Sequence, residues 1–214
     1  MSEAMQVSRR QGSTTSAWGG GESPFGVSWT KLMMWLFLLS DAFTFAALLT
    51  GYGAVRLTAG TWPRQADFFN ITAVVGPMTF ILICSSATMA MAVAAARRGA
   101  WGAAARFLWL TILGGLLFLG MQAFEWTSFI REGARLTGFV GHRAGDLPAM
   151  FPATFFVTTG FHGGHVTSGV LYLLVKAVQA GRGRASAESI EVAGLYWHFV
   201  DLVWVFIFTL LYLV

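Results

Sequence analysis

Cysteine is almost absent from this sequence. The single Cys84 excludes an intrachain disulfide and leaves too few thiolates for a cysteine-based metal centre. It sits in an apolar run, where its expected role is that of a small core residue. Charge is scarce as well: 11% of the 214 residues are charged and 56% are apolar, well outside the composition of an ordinary soluble domain. The apolar runs are continuous instead of alternating in short segments, which excludes a membrane barrel. No glycine-rich phosphate loop, no internal repeat and no Ser or Cys nucleophile with a base in a fixed motif is visible. The net charge of +4 is spread over loops and forms no basic face, so no nucleic-acid partner is expected.

What is present is a succession of apolar stretches. A helix needs about 20 largely apolar residues to cross a bilayer, and five runs reach that length: Lys31–Val55, Ile71–Ala95, Ala104–Ile130, Phe151–Val178 and Val192–Val214. They predict an all-α fold, an integral membrane bundle of five transmembrane helices filling one domain over residues 28–214. Short loops after the first, second and fourth runs make successive helices antiparallel neighbours. Residues 1–27, rich in Ser, Gly and Thr and without an apolar core, read as a flexible cytoplasmic tail. With the N-terminus inside, the inner face carries Arg9, Arg10, Lys31, Arg97, Arg98, Arg106, Lys176, Arg182 and Arg184. The outer face then carries Arg56, Arg64, Arg131, Arg135 and Arg143, and this imbalance places the C-terminus outside.

Local signals refine the picture. Gly76-Pro77 is expected to loosen the second helix, because proline donates no backbone hydrogen bond. Gly160, Gly164 and Ser168 share one face of the fourth helix and are expected to admit a close neighbour, with Gly114, Gly115 and Gly120 a looser version in the third. The tryptophans, Trp29, Trp35, Trp62, Trp101, Trp126, Trp197 and Trp204, fall mostly near run ends and read as an interfacial belt.

The polar residues inside the runs are the most informative, since an acid at mid-membrane costs roughly 3 kcal/mol on insertion scales. Three acids occur there: Asp41, Glu125 and Asp201. His198 and Asp201, three apart on a helix, are placed to share a hydrogen bond. His162 and His165 also share a face. Their spacing matches neither a zinc-protease motif nor a ferritin-like di-iron motif, so interhelical hydrogen bonding is the leading reading, ahead of a proton-related or partner-contact role and of metal ligation, and the expectation is no metal site and no catalytic residue in this chain.

Two segments carry a family resemblance: Thr159-Gly-Phe-His162-Gly-Gly-His165-Val and Tyr196-Trp197-His198-Phe199-Val200-Asp201-Leu-Val-Trp204. Together they resemble subunit III of the haem-copper terminal oxidases, in its short five-helix bacterial form. Phe37-Leu-Leu-Ser40-Asp41 is similar to the family's first retained helix. Gln122 to Glu125 is similar to its next acidic one, and Glu191 to the acid before the last helix. The family's mitochondrial-type members carry Glu at the Asp41 position; Asp is similar to the quinol-oxidase branch, whereas Tyr-Trp-His-Phe is more like the cytochrome c branch.

The resemblance implies a non-redox subunit of a proton-pumping oxidase of aerobic respiration in the bacterial cell membrane. Haem and copper would reside in partner subunits I and II. This subunit would stabilise the catalytic one, hold structural phospholipids and support proton uptake, with Asp41 as the buried acid near the proton-uptake or lipid site. Glu125, His162, His165, Glu191, Trp197, His198 and Asp201 would be the polar motif residues. Cytochrome c oxidase is the leading reading. A quinol oxidase subunit III and an accessory membrane protein of nitric oxide reductase are the neighbouring ones, and membership in a larger respiratory supercomplex stays open. A small proton-coupled transporter is the reading from another class, but the chain shows neither the inverted repeats nor the broken helices that transporters commonly carry.

Overall fold

A computed structural model describes residues 26–140 and 147–214. Most of the tail expected over residues 1–27 lies outside the described residues, as do His142 and Arg143. Five long helices follow one another. Helix α1 runs Trp29–Thr58 and is capped by Ser28, whose hydroxyl accepts from the Lys31 amide at 3.3 Å. Helix α2 spans Gly76–Arg97 and α3 spans Trp101–Arg131. Helix α4 spans Met150–Gly181, and α5 spans Ala187–Ile207 and continues as a π-helical turn, Phe208–Leu213.

The loosening expected at Gly76-Pro77 takes a specific form. A π-helical turn, Ile71–Val75, precedes α2, so that Pro77 occupies the first turn of the α-helix, where its missing N–H costs nothing. The expected long connection after α3 contains a small antiparallel hairpin, β1 (Ala134–Arg135) with β2 (Gly138–Phe139), in an otherwise helical fold. Gly133 and Gly138 have φ of +96° and +124°, a region that L side chains rarely adopt. Phe129 anchors this end of the bundle, with its ring 4.9–5.9 Å from those of Phe68, Phe69, Phe139, Phe151, Phe155 and Phe156.

Among the described residues four segments are long and apolar enough to cross a membrane: Trp29–Thr58, Ile71–Arg97, Trp101–Arg131 and Ala187–Leu213. Helix α4 matches them in length, at 32 residues, but carries Thr158, Thr159, Gly160, His162, Gly163, Gly164 and His165 through its middle. The architecture is an all-α membrane bundle. Helix α2 packs on α3 and α5, α3 also on α4, and α1 lies at the edge against α5 and α4. Only Leu38, Asp41, Phe45 and Tyr52 of α1 are buried, a single stripe at helical spacing.

Three expectations change. Cys84 is exposed on the outer face of α2, not in the core, because it is Ser85 that points inward. Trp197 and Trp204 are at most 1% exposed and belong to the centre of the bundle, not to an interfacial belt. The tightest helix approach falls at Gly114 and Gly115, expected only as the looser version, although Gly160 is also close, a Cβ there lying 3.0 Å from the Trp126 ring. A Cβ on Gly164 would meet nothing within 4 Å, whereas one on Gly114 would lie 2.7 Å from the Ser85 Cβ and one on Gly115 would lie 2.6 Å from the Trp197 ring.

Candidate functional site

The polar motif residues do not converge on one centre; each ties a different pair of helices. Asp41 of α1 faces His165 of α4, with Nε2 3.3 Å from Oδ2. The other ring nitrogen of His165, Nδ1, lies 2.8 Å from the Phe161 carbonyl oxygen of its own helix, which fixes the ring. One turn further along α4, the Ser168 hydroxyl is 2.7 Å from that of Tyr196 on α5, and the Tyr196 hydroxyl also donates to the His165 carbonyl at 3.1 Å. This cluster therefore joins α1, α4 and α5 beside a cavity of about 360 Å³ lined by Phe37, Gly160, Gly164 and Tyr196.

Helices α5 and α2 are joined by three side-chain hydrogen bonds in a row. His198 Nδ1 is 2.6 Å from the Ser86 hydroxyl, Trp197 Nε1 donates to the Ser85 hydroxyl at 3.1 Å, and Trp204 Nε1 donates to the Thr79 hydroxyl at 3.0 Å. The direct bond expected between His198 and Asp201 is replaced by this arrangement, in which the Ser86 hydroxyl also interacts with the Asp201 carboxylate. Serine is short enough to stand between two helices at that separation, so it serves both groups from the opposite side.

Helix α3 supplies the next links. The Gln122 amide donates to the Thr159 carbonyl at 2.7 Å, and the Trp126 indole to the Thr159 hydroxyl at 3.1 Å. Glu125 accepts from the Tyr212 hydroxyl at 2.7 Å, binding α3 to the final turn of the last helix. At one end of the bundle Glu191 accepts from both Lys31 and Arg97 at 2.8 Å, which draws α1, α2 and α5 together, and Ser28 bonds Glu188 beside it. Glu191 thus lies within the first turns of the last helix, not before it.

His162 departs from the expected hydrogen-bonding role. It is fully buried, and neither ring nitrogen has a hydrogen-bond partner among the described residues. Its ring instead stacks on Trp204 at 5.1 Å and meets Phe118 edge-on at 5.7 Å, so it packs as an aromatic. His162→Phe is therefore expected to leave stability within about 1 kcal/mol of the parent or to raise it, since no buried polar atom loses a partner. Thermal unfolding in detergent checks this, and a loss above about 2 kcal/mol would mean that the ring nitrogens are bound.

The partners Ser85, Ser86, Thr79 and Tyr212 carry no motif of their own and were not foreseen. A Ser or Thr in a membrane helix is an ordinary residue until a donor stands opposite, so the only advance signal was the need of the buried Trp and His for acceptors. Among the described residues no group of three or more His, Cys, Asp or Glu is placed to hold a metal ion. The arrangement is a set of interhelical ties.

The family model described as cytochrome c oxidase subunit III matches residues 6–214. The cytochrome c oxidase subunit 3 of Alkalihalophilus pseudofirmus is 32% identical over 185 residues, 85% of each chain. The cytochrome bo(3) ubiquinol oxidase subunit 3 of Pseudomonas aeruginosa is 34% identical over 198 residues, 91% of this chain and 86% of that one. A probable cytochrome c oxidase subunit 3 of Mycobacterium tuberculosis is 34% identical over 183 residues, 84% of this chain and 85% of that one.

Proposed function

The chain belongs to the cytochrome c oxidase subunit III family, and from that premise we propose that its interhelical ties keep a rigid, lipid-lined flank on the catalytic subunit. As subunit III of a haem-copper oxidase, it is a non-catalytic part of an oxidoreductase complex and associates with other oxidase subunits. In the finer reading the partners are subunits I and II, which hold the haem and copper, and the electron donor is cytochrome c. The chain crosses a bacterial inner membrane five times, N-terminus inside and C-terminus outside, with α4 as the fifth span. Helix α4 is credited as a span because His165, Thr159 and Ser168 are matched by partners within the bundle and His162 packs among rings, which lowers the cost that its composition alone implies.

The observation that carries the proposal is the distribution of the motif residues. Asp41, Glu125, Glu191, Trp197 and His198 each bond to a residue of another helix. Such bonds contribute about 0.6 to 2 kcal/mol each in a membrane, so together they hold the shape of the grooves between helices. One groove of about 410 Å³ runs between α1 and α5, lined by Trp35, Leu38, Leu39 and Phe199, with His198 at its wall. Apolar and open to the bilayer, it suits phospholipid chains, and Asp41 with His165 lies on the neighbouring side of α1. Support of proton uptake is assigned to the same flank, through its hold on the catalytic subunit.

Replacing His198 with leucine tests this. The intact oxidase carrying the variant is expected to lose thermal stability of this subunit and part of its bound phospholipid, with its haem spectrum unchanged. Loss of haem with lipid fully retained would refute the proposal.

A further inference from the structure

One cavity on the outside of the bundle is not among the grooves assigned above. About 460 Å³ in volume, it lies where α3 ends, between Trp126 and Ile130 of that helix, Ala134, Arg135 and Leu136 of the hairpin, and Phe156 of α4. Its volume falls in the range of about 300–1,000 Å³ typical of ligand pockets. Five of the six lining residues are apolar, and Ile130 and Leu136 remain 39% and 62% exposed. In a chain that spans a membrane, an apolar pocket at the last turns of a helix sits where acyl chains give way to headgroups.

Among the described residues Arg135 is the only charged one lining it, and it is held in place. Its Nη1 donates to the Ile130 carbonyl at 2.9 Å and to the Ala134 carbonyl at 3.0 Å. The first of these oxygens belongs to the final turn of α3, whose last carbonyls have no intrahelical donor. The guanidinium is thereby fixed over the helix end. A guanidinium has five N–H donors, and among the described residues only the two of Nη1 are taken up, so the rest of the fork can face an anion, and phosphate oxygens fit that geometry.

The hairpin that carries Arg135 is itself rigidly seated. A Cβ on Gly133 would come within 2.5 Å of the Val140 carbonyl oxygen, and one on Gly138 within 2.9 Å of the Ala149 Cβ. The Val140 amide closes the loop by donating to the Gly133 carbonyl at 2.9 Å. Apolar wall, fixed cation and rigid rim therefore occur together on the bilayer-facing surface.

We propose that this pocket binds one phospholipid of anionic headgroup, with an acyl chain along Trp126, Ile130 and Phe156 and its phosphate on Arg135. The inference rests on the reading of the chain as a membrane subunit. It does not depend on the electron donor or on the groove at His198.

The test is native mass spectrometry of the intact, delipidated oxidase titrated with phosphatidylglycerol or phosphatidylcholine, comparing the parent with Arg135→Gln and, separately, Ile130→Trp. Arg135→Gln removes the charge and keeps a side chain of similar reach; Ile130→Trp fills the apolar wall and keeps the charge. One phosphatidylglycerol bound by the parent should need about tenfold more lipid for half-occupancy in Arg135→Gln, the effect of losing one charge-assisted contact. It should also be lost in Ile130→Trp, with phosphatidylcholine weaker than phosphatidylglycerol in the parent alone. Equal lipid counts in the parent and Arg135→Gln overturn the proposal, as does a site that only Ile130→Trp weakens. His198→Leu, run alongside, separates the two ideas: it should leave this lipid bound while it removes lipid elsewhere.

Discussion

Gly115→Leu is expected to destabilise the bundle by about 3 kcal/mol or more, at or above the upper end of the usual cost of overpacking. A Cβ at this position would already sit 2.6 Å from the Trp197 ring and 2.8 Å from the Val170 Cγ2, before any larger side chain is added. Neither neighbour can withdraw easily. Trp197 is 1% exposed and tied to Ser85 through its indole N–H, and Val170 lies on α4, which would have to move as a whole. The variant should show a lower unfolding midpoint in detergent and be retained less in the purified oxidase. Gly164→Leu serves as the control, because that position has nothing within 4 Å; its stability should stay close to the parent's. Equal losses at the two positions would mean that the approach of α3 to Trp197 is not tight.

Trp197→Ala is the second large effect. The Trp197 ring fills a notch between Gly115 of α3 and Gly169 of α4, where a Cβ on Gly169 would lie 3.2 Å from it. Truncation leaves a cavity that the helices cannot close without shifting, and it strips the Ser85 hydroxyl of its donor. Removing a buried Trp costs about 3 to 5 kcal/mol in soluble cores. Lipid tails are as apolar as the bundle interior, so the transfer part of that cost is small in a membrane and the lost packing dominates. A loss of about 3 kcal/mol is therefore expected. Trp197→Phe, which keeps most of the ring contact and removes the hydrogen bond, should lose about 1 kcal/mol. A Phe variant as damaged as Ala would place the weight on the hydrogen bond instead of the packing.

These two residues also show how far the sequence could be read. Hydropathy located all five helices to within about five residues, because each is one long, largely apolar run bounded by polar residues, and the interruption at Gly76-Pro77 followed from proline chemistry. The packing seam followed in part. Gly160, Gly164 and Ser168 have the more regular spacing, yet the tightest contacts fall at Gly114 and Gly115 of the looser set, with Gly160 and Gly169 next and Gly164 and Gly120 open, since what matters is where a side chain from another helix arrives. Periodicity within one helix carries no information about that side chain. Trp197 and Trp204 are ambiguous in the sequence for the same reason: a tryptophan in an apolar run is equally suited to the interface and to a core that offers a hydroxyl acceptor.

The polar ties divide along similar lines. Buried acids were conspicuous because hydropathy makes them costly, so Asp41, Glu125 and Asp201 were singled out from the residues alone. Their partners were legible only where two of them shared a helix, and there the reading was incomplete. His198 reaches across to Ser86 and His162 packs among rings, whereas Asp41 and His165, more than a hundred residues apart, meet at 3.3 Å. Lys31 and Arg97 were read as signals of membrane orientation, and in the folded bundle they also hold Glu191.

The central claim, that this chain is the structural flank of a haem-copper oxidase, is tested most directly by purifying it through a tag in mild detergent. The measurement is the reduced-minus-oxidised haem spectrum of the material together with its oxygen consumption. The account predicts that haem, copper and oxygen-reducing activity accompany the chain, with reduced cytochrome c as an effective donor. A chain that emerges colourless even after cross-linking in the membrane, with no haem protein attached, would contradict it.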